Sequence, residues 1–234
     1  MEISVITTLY NYKNYVKDAI KSFIKQDFPD SEMIIVDDCS TDNPYDIIKK
    51  YKDYNIKYIR LGKKSNYSHA KNVGIKEAKS DILVMLDADD MLTEKSLKVR
   101  YKKIIKGYDF VHGFAYNYKD GIITPNDLCQ KWEQEKTWKN IHAQGVMLKK
   151  EIHKKIGLND EKLWCKSDRE FFARVWNHGF KIGFVNEFVA LYRRHKKQMH
   201  RSKEKMKINN SLQKNVLKLI EKRKKDLSGL EILH

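Results

Sequence analysis

Three carboxylates follow a short apolar run in the segment Asp81-Ile-Leu-Val-Met-Leu-Asp-Ala-Asp-Asp90. Residues 82–86 are all apolar, which predicts a strand buried on both faces, as in the middle of a parallel sheet. Ligands of open α/β sheets bind beyond the carboxyl ends of the strands, which is where Asp87, Asp89 and Asp90 stand. Carboxylates this close repel one another unless a cation intervenes, so the spacing indicates a divalent metal ion that holds a phosphate.

The same segment also suits an acidic turn at the start of the next helix. In that interpretation Asp90 or Thr93 is the N-cap, because their side-chain oxygens accept hydrogen bonds from the first N–H groups of a helix. The Asp-X-Asp spacing by itself does not decide between a helix cap and a metal site.

Short apolar strands alternate with amphipathic helices through the first half of the chain. Strands are predicted at residues 3–9, 33–36 and 56–61, and a fourth ends at Asp87. Four helices are predicted between and after these strands. The first has an apolar face of Val16, Ala19, Ile20, Phe23 and Ile24, and the second follows Pro44 with Ile47 and Ile48. The third covers residues 68–79, and the fourth has an apolar face of Leu97, Tyr101, Ile104 and Ile105 and stops at Gly107. This alternation predicts an α/β fold with a mostly parallel sheet covered by helices on both faces.

After Gly107 the pattern changes. Strands are predicted at residues 108–118 and 145–148, with a hairpin turn at Asp120-Gly121, and helices are predicted from Lys150 and over residues 168–177. Residues 203–226 predict a basic amphipathic helix, which we expect to pack on the domain or to lie on a membrane surface.

Composition limits the class of protein. The three cysteines, Cys39, Cys129 and Cys165, form no Cys-X-X-Cys pair, which favours reduced thiols in the cytoplasm over disulfides or a zinc site. No apolar run is long enough to span a bilayer and no signal peptide is recognisable, so we expect a soluble protein without a transmembrane segment.

The net charge of +16 predicts an anionic partner. Nucleic acid, an acidic membrane surface, a nucleotide-linked substrate and an acidic polymer all fit. Much of the charge lies in residues 193–225, where the alternative is a solvated lysine-rich surface without a dedicated partner.

The strand ends together suit a nucleoside diphosphate. One strand ends in Asp37-Asp38, another in Asp87-Ala-Asp89, and the first in Thr7-Thr-Leu-Tyr-Asn11. An aromatic ring beside a carboxylate can stack on a base and accept from its ring N–H, while acids that hold a metal can grip the diphosphate. No GxGxxG or GxxxxGK[ST] segment is present, which argues against a dinucleotide or P-loop site.

Four segments resemble family 2 glycosyltransferases of the GT-A (Rossmann-like) fold. They are Ser4-Val-Ile-Thr-Thr-Leu-Tyr-Asn11, the acidic segment at residues 27–42, Ala70-Lys-Asn-Val-Gly74 and Asp87-Ala-Asp-Asp90, in the order and spacing of that family. The resemblance extends to about His200. It implies a nucleotide-sugar donor, most simply a UDP-sugar with GDP and dTDP left open, Mn²⁺ or Mg²⁺, and inversion at the anomeric carbon.

The resemblance assigns donor-binding roles by position. Thr8, Tyr10 and Asp38 match the base-binding positions, with Asp38 as the partner of a uracil N3–H. Lys71 stands where the family often has arginine, and it would face the diphosphate as a point charge. Asp87 matches the ribose and metal motif.

The resemblance also implies the metal ligands. Asp89 is the position expected to contact the ion directly. Tyr192-Arg-Arg-His195 resembles the family's Tyr-Arg-X-His, in which the histidine approaches the metal or the diphosphate. Cys39 occupies the usual glycine position of an Asp-Asp-Gly-Ser turn and is interpreted as a tolerated small residue, not as a nucleophile.

The segment from Lys166 to Arg174 resembles the family's acidic motif at the start of a helix beside the acceptor. Asp168 takes the position of the catalytic base, which must remove a proton from the attacking hydroxyl. Ser167 departs from the family, which usually has an acid there. The alternative is that Asp168 or Ser167 is only a helix N-cap.

His142, Gln144 and Trp164 fall in segments that line the acceptor site in the family, although Trp164 equally suits the core. The predicted organisation is a GT-A domain over residues 1–200, with a nucleotide-binding half (1–106) and an acceptor-binding half (107–200), and a basic helical extension over 201–234.

The acceptor is expected to be a saccharide or a lipid-linked molecule, with the protein at most peripheral at a membrane. Two alternatives stay open: a glycosyltransferase that acts on modified DNA bases, and an inactive GT-A-like domain that binds nucleic acid or another partner through the basic tail. Nucleotidylyl transfer on a similar sheet is a further enzymatic alternative, but its Gly-rich N-terminal loop is missing.

Overall fold

The computed structural model describes residues 2–126, 131, 135–163, 166–196 and 198. Trp164, Cys129, Cys165 and the predicted helix at 203–226 lie outside the described residues.

Strands and helices alternate from the first described residues onward. The strands are β1 (Ile3–Leu9), β2 (Ser31–Asp37), β3 (Ile56–Arg60), β4 (Ile82–Asp87), β5 (Met91–Leu92), β6 (Phe110–Lys119), β7 (Ile122–Pro125), β8 (Met147–Lys149) and β9 (Ile182–Arg193). The helices are α1 (Lys13–Ile24), α2 (Tyr45–Ile48), α3 (Tyr67–Glu77), α4 (Ser96–Ile104), α5 (Glu151–Ile156) and α6 (Ser167–Asn177). Short 3-10 turns at Lys49–Tyr51 and Trp138–Asn140 complete the pattern.

The described strands form one mixed sheet in the order β3-β2-β1-β4-β8-β6-β9-β5, with β7 paired to β6. Strands β3, β2, β1 and β4 are parallel, and β6 and β9 are also parallel. Strand β8 runs antiparallel between β4 and β6 and thereby joins the two parallel groups. The predicted α/β class with a mostly parallel central sheet is confirmed, and the division of the chain near residue 106 stays a prediction.

The central strands of the sheet are buried on both faces, and most of their residues are apolar. Every residue of β1 and β2 is buried. Alternate side chains point to opposite faces: Ile6 belongs to a core with residues of α3 and α6, and Val5 to a core with residues of α1 and α4. Burial of these runs from water is the main stabilising contribution to the fold.

Local signals account for several element ends. The Asn66 side chain caps α3 by accepting from the backbone N–H of His69 at 2.9 Å. Gly157 follows α5 with φ +82°, a left-handed value that favours glycine. Asp120 and Gly121 both have positive φ, +49° and +86°, as the hairpin between β6 and β7 requires.

The structure corrects two details of the predicted elements. Ile105 does not belong to the buried face of α4: the helix ends at Ile104 and Ile105 is 64% exposed. Strand β9 was not predicted. Its pairing with β6 changes register near Gly113 and Phe114, so its inward-facing residues do not alternate regularly along the sequence.

Among the described residues, no helix combines the length and the apolar character that crossing a bilayer requires.

Candidate active site

The carboxyl ends of three parallel neighbours, β2, β1 and β4, meet at one edge of the sheet. In the strand register Thr8 pairs with Val36 on one side and with Asp87 on the other. The residues that follow these strands therefore surround a common edge, as the sequence predicted.

The two acids at the end of β2 have different surroundings. Asp37 is fully buried and accepts hydrogen bonds from the Tyr58 hydroxyl (2.6 Å), the Arg60 guanidinium (2.8 Å) and the backbone N–H of Ser40 (2.8 Å). These partners engage both carboxylate oxygens, which gives Asp37 a structural role.

Asp38 faces the loop after β3. One of its oxygens accepts from the backbone N–H and the hydroxyl of Ser65, at 2.6 and 2.8 Å, and the other pairs with the Lys64 ammonium. The same ammonium lies 4.0 Å from the centroid of the Tyr10 ring. Lys64 thus connects the two predicted base-binding residues, although no sequence pattern indicated a role for it.

Cys39 has φ +59°, in the left-handed region that glycine adopts without strain. Its thiol donates to the carbonyl of Leu61 at 2.9 Å. This backbone conformation explains why a glycine suits the position, and the thiol contact fits the interpretation of Cys39 as a structural residue.

Asp87 lies at the centre of the site. Its carboxylate accepts hydrogen bonds from the Gln144 amide (2.8 Å), the Tyr67 hydroxyl (3.0 Å) and the Thr8 hydroxyl (3.3 Å). Burial raises the pKa of Asp87, and the nearby charge of Lys71 opposes that shift. Gln144, predicted to bind the acceptor, here contacts the acid that was predicted to bind the donor.

Asp87, Asp89 and Asp90 form a cluster in which one oxygen from each lies within 4.8 Å of the others. Burial, and then the charges of Asp89 and Asp87, raise the pKa of Asp90 well above its usual range. The Oδ2 atom of Asp90 is buried and has no hydrogen-bond partner among the described residues. Closely spaced, incompletely satisfied carboxylate oxygens are a donor set that fits a hard divalent cation.

The alternative of a helix-capping turn is wrong. No side chain caps α4, whose N-cap position is Lys95. Thr93 instead donates its hydroxyl to the carbonyl of Phe188 at 2.6 Å, and Asp90 accepts from the backbone N–H of Arg193 at 2.8 Å. The spacing of the acids placed Asp90 in the predicted metal-binding cluster, whereas the family resemblance named only Asp89 and His195 as ligands.

His195 lies against the acidic cluster. Its Nε2 atom is 2.9 Å from Oδ2 of Asp89, and its ring packs on those of Tyr12 and Tyr15, with centroids 5.5 and 4.5 Å away. Strand β9 carries His195 to this place from 106 residues away along the chain. The two predicted metal ligands are therefore direct neighbours.

Lys71 and Asp168 line the same small cavity, together with Met85, His153 and Phe171. Burial lowers the pKa of Lys71, and the negative charges of Asp87 and Asp168 counteract that shift. The lysine thus lies near both the acid at the end of β4 and the predicted base.

Asp168 is the second residue of α6 and does not cap the helix. Lys166 occupies the N-cap position with φ +57°, and no side chain makes a capping hydrogen bond there. The helix is held in place by Arg174, which pairs with Glu170 (2.9 Å) and donates to the carbonyl of Leu158 (2.8 Å). The N-cap alternative for Asp168 and Ser167 is therefore wrong.

His142 lies on the far side of Gln144. Its Nε2 atom is 3.2 Å from the Asn126 amide, its Nδ1 accepts from the backbone N–H of Gln144 at 3.3 Å, and its ring meets that of Tyr192 at 5.2 Å. Trp164, the third predicted acceptor residue, lies outside the described residues.

The profile of the family described as glycosyl transferase family 2 matches residues 4–156. That match covers more than half of the chain and contains the acidic edge of the sheet. The chain belongs to glycosyl transferase family 2.

Named relatives of this glycosyltransferase are enzymes of the same kind. Glycosyltransferase GlyG of Streptococcus pneumoniae is 26% identical over 98% of this chain and 82% of GlyG. The putative teichuronic acid biosynthesis glycosyltransferase TuaG of Bacillus subtilis is 30% identical over 82% of this chain and 78% of TuaG.

The third relative is known in structure. Poly(ribitol-phosphate) beta-N-acetylglucosaminyltransferase TarS of Staphylococcus aureus is 26% identical over 86% of this glycosyltransferase, which spans 37% of the length of TarS. The crystal structure of TarS residues 1–349 in complex with UDP-GlcNAc superposes with a TM-score of 0.73 at 24% identity, over 85% of this chain and 60% of that one. The superposition confirms the GT-A fold.

Proposed function

We propose that this glycosyltransferase moves a sugar from a UDP-sugar to a hydroxyl of a saccharide or lipid-linked acceptor, with inversion and with a divalent metal ion. The observation that carries the proposal is that Lys71 lies close to Asp168, with which it lines a small cavity, and close to Asp87. This arrangement places a carboxylate base and a positively charged lysine beside a cluster of acids. Inverting sugar transfer requires all three kinds of group.

Asp168 acts as the general base in this proposal. Its carboxylate takes the proton of the acceptor hydroxyl as that oxygen attacks the anomeric carbon, and the bond from this carbon to the diphosphate oxygen breaks on the opposite side of the sugar. A general base in such a position contributes about 10²- to 10⁴-fold to the rate. Its place is the first turn of α6, beside Lys71.

Donor binding uses the ends of β1 and β2. Tyr10, which is 41% exposed, offers its ring for stacking on the base. Asp38 accepts a hydrogen bond from the base N3–H after the Lys64 side chain, which pairs with Asp38 and lies over the Tyr10 ring, moves away. Thr8 and Asp87 face the ribose. Lys71 stabilises the charge that develops on the departing nucleoside diphosphate.

The acidic cluster is where a divalent ion would be held. Asp89 and His195, whose Oδ2 and Nε2 atoms lie 2.9 Å apart, are the proposed ligands, and Asp87 and Asp90 would add neighbouring carboxylates. When bound, Mn²⁺ or Mg²⁺ supplies Lewis-acid stabilisation of the diphosphate leaving group.

The names of two relatives support the proposed acceptor class. TarS is named for poly(ribitol-phosphate) and TuaG for teichuronic acid, both of which are saccharide or polyol polymers. A cytoplasmic protein that meets such a polymer, or its lipid-linked precursor, at the membrane surface accords with the net charge of +16.

A donor screen tests the proposal. The protein is incubated with UDP-, GDP- and dTDP-sugars, with Mn²⁺ or with EDTA, and release of nucleoside diphosphate is measured. We expect metal-dependent turnover of one UDP-sugar. Steeply salt-dependent binding of DNA without any consumption of a nucleotide sugar would instead favour the inactive binding domain, and glucosylation of a base-modified oligonucleotide would favour the DNA-modifying enzyme.

A further inference from the structure

The described arginines divide into three groups. Arg60, Arg174 and Arg193 form ion pairs with carboxylates, and Arg100 is fully buried. Arg169 and Arg194 are only half-buried, and in the described part of the chain neither has a carboxylate partner. Since arginine is always charged, these two cations are available to an anion from outside the protein.

Arg194 follows directly after the last residue of β9. Its backbone N–H donates to the carbonyl of Tyr118 at 2.8 Å, which fixes its position along the sheet. Its guanidinium lies 5.3 Å from the centroid of the Tyr192 ring. Tyr192 in turn meets the His142 ring edge to face at 5.2 Å. Arg194 is thus attached to the predicted acceptor side and immediately precedes His195 in the chain.

Arg169 approaches the same region from α6. It follows the proposed base Asp168, and its guanidinium donates to the backbone carbonyl of Lys139, three residues before His142. This contact uses one nitrogen of the guanidinium, and within the described ranges no carboxylate pairs with its other N–H groups. The arginine is therefore held next to the base without being neutralised.

Both arginines are linked to the surroundings of His142, Arg169 through the carbonyl of Lys139 and Arg194 through the ring of Tyr192. Burial, followed by the charges of Arg169 and Arg194, lowers the pKa of His142 to about 4. The histidine stays neutral at pH 7, so the positive charge at this place comes from the two arginines. Arg169 and Arg194 therefore place two positive charges on the predicted acceptor side of the site.

We propose that Arg169 and Arg194 bind a phosphate group of the acceptor, so that the acceptor is a phosphate-bearing molecule. The inference rests on the proposed function, because it names the substrate class for the same site. A planar guanidinium fork binds phosphate through two parallel hydrogen bonds, which a single ammonium cannot do. The phosphate has two candidate sources, the phosphodiesters of a polyol-phosphate polymer and the diphosphate of a lipid-linked saccharide.

Binding measured with the donor site filled tests this inference. The full chain, saturated with UDP and Mn²⁺, is titrated with oligo(glycerol phosphate), with a short-chain lipid diphosphate of N-acetylglucosamine, and with the uncharged octyl glycoside of the same sugar. We expect one of the two phosphates to bind at least about tenfold more tightly than the glycoside. The tighter phosphate identifies the source.

Variants then assign the binding to the two arginines. Arg169→Ala and Arg194→Ala should each weaken phosphate binding about 10- to 100-fold, and Arg169→Lys and Arg194→Lys should restore only part of it. Binding of UDP should not change in any of them. Lys98→Ala combined with Lys155→Ala removes two exposed positive charges elsewhere and should leave phosphate binding at the wild-type level.

The outcomes separate the two proposals. If UDP itself does not bind, the proposed function fails. If UDP binds but neither phosphate is preferred over the glycoside, or if both alanine variants bind phosphate as the wild type does, the arginine pair is not an acceptor site. The lysine variants, which keep the charge, provide a readout should an alanine variant fail to fold.

Discussion

The backbone N–H of Arg193 donates to Oδ1 of Asp90 at 2.8 Å, across 103 residues of sequence. The Arg193 side chain adds a bond from Nε to the carbonyl of Asp89 (2.9 Å) and an ion pair with Asp18 of α1 (2.7 Å). The guanidinium also lies over the ring of Tyr15 at 5.2 Å. One residue therefore holds the acidic loop, the end of β9 and α1 together.

Replacing Arg193 should destabilise the protein and loosen the site at the same time. For Arg193→Ala we expect a loss of about 2–4 kcal/mol of unfolding free energy, because a largely buried charged group loses several hydrogen bonds. Urea unfolding measures it. Lys57→Ala, which breaks the exposed pair with Glu77, should change the stability by less than about 1 kcal/mol. Equal effects of the two substitutions would contradict the anchoring role.

Asp90→Asn tests the metal site. We expect the melting temperature without metal to be no lower than that of the wild type, since the substitution removes a buried carboxyl that its acidic neighbours disfavour as a charge. Stabilisation by Mn²⁺ should require at least about tenfold more metal. Thermal melting over a Mn²⁺ series measures both quantities. Asp46→Asn, at an exposed ion pair with Lys13, is the control and should respond to Mn²⁺ as the wild type does.

Substitution of Gly74 tests how closely α3 packs on the sheet. A Cβ atom at this position would lie 2.4 Å from Cγ2 of Ile6 in β1. Gly74→Ala should therefore cost about 1–3 kcal/mol of stability through overpacking. Gly62→Ala, where nothing lies within 4 Å of the added atom, is the matched control for denaturant unfolding. A Gly74→Ala protein as stable as the control would show that α3 does not pack this closely.

The burial of His153 should make the folded protein less stable in acid. Its ring stacks on Phe171 at 4.5 Å, and burial lowers its pKa to about 4. The unfolded chain takes up a proton near pH 6.5, whereas the folded protein does so only near pH 4, so unfolding free energy falls as the pH drops through this window. Within this window, protonation of this one histidine in the unfolded chain lowers the unfolding free energy by up to about 1.4 kcal/mol per pH unit.

The variant His153→Phe keeps the stacked ring and removes the proton-binding group. Urea unfolding at several pH values should therefore give a shallower dependence on pH between about 4 and 6.5 than the wild type shows. His178→Gln removes a histidine from an exposed position and should leave that dependence as it is. If His153→Phe has the wild-type slope, the histidine is not held neutral by the fold.

Strands β1, β2 and β4 were predictable because they are short, mostly apolar and largely buried on both faces. The strand β1 and the end of β4 at Asp87 were predicted with their observed bounds, and helix α1 buries the predicted Val16, Ala19, Ile20 and Phe23. Parallel pairing then places Thr8 and Asp87 side by side without further information.

The remaining contacts of the site depend on long-range pairing that sequence patterns do not encode. Strand β9 escaped prediction because its register shifts against β6, and it is the element that brings Arg193 and His195 to the acids. The role of Lys64 and the contact between Asp90 and Arg193 were not predicted for a different reason. The contacts of Lys64 with Asp38 and of Asp90 with Arg193 become visible only once the loops are in place.

Asp168→Asn tests the central claim most directly. Turnover of the UDP-sugar found in the donor screen is measured with acceptor, alongside calorimetric binding of UDP in the presence of Mn²⁺. We expect transfer to fall at least about 10²-fold while UDP binds as tightly as to the wild type, since the amide cannot take the proton of the acceptor hydroxyl. An Asp168→Asn enzyme that transfers sugar at the wild-type rate would contradict the assignment of the base, and with it the mechanism proposed for this site.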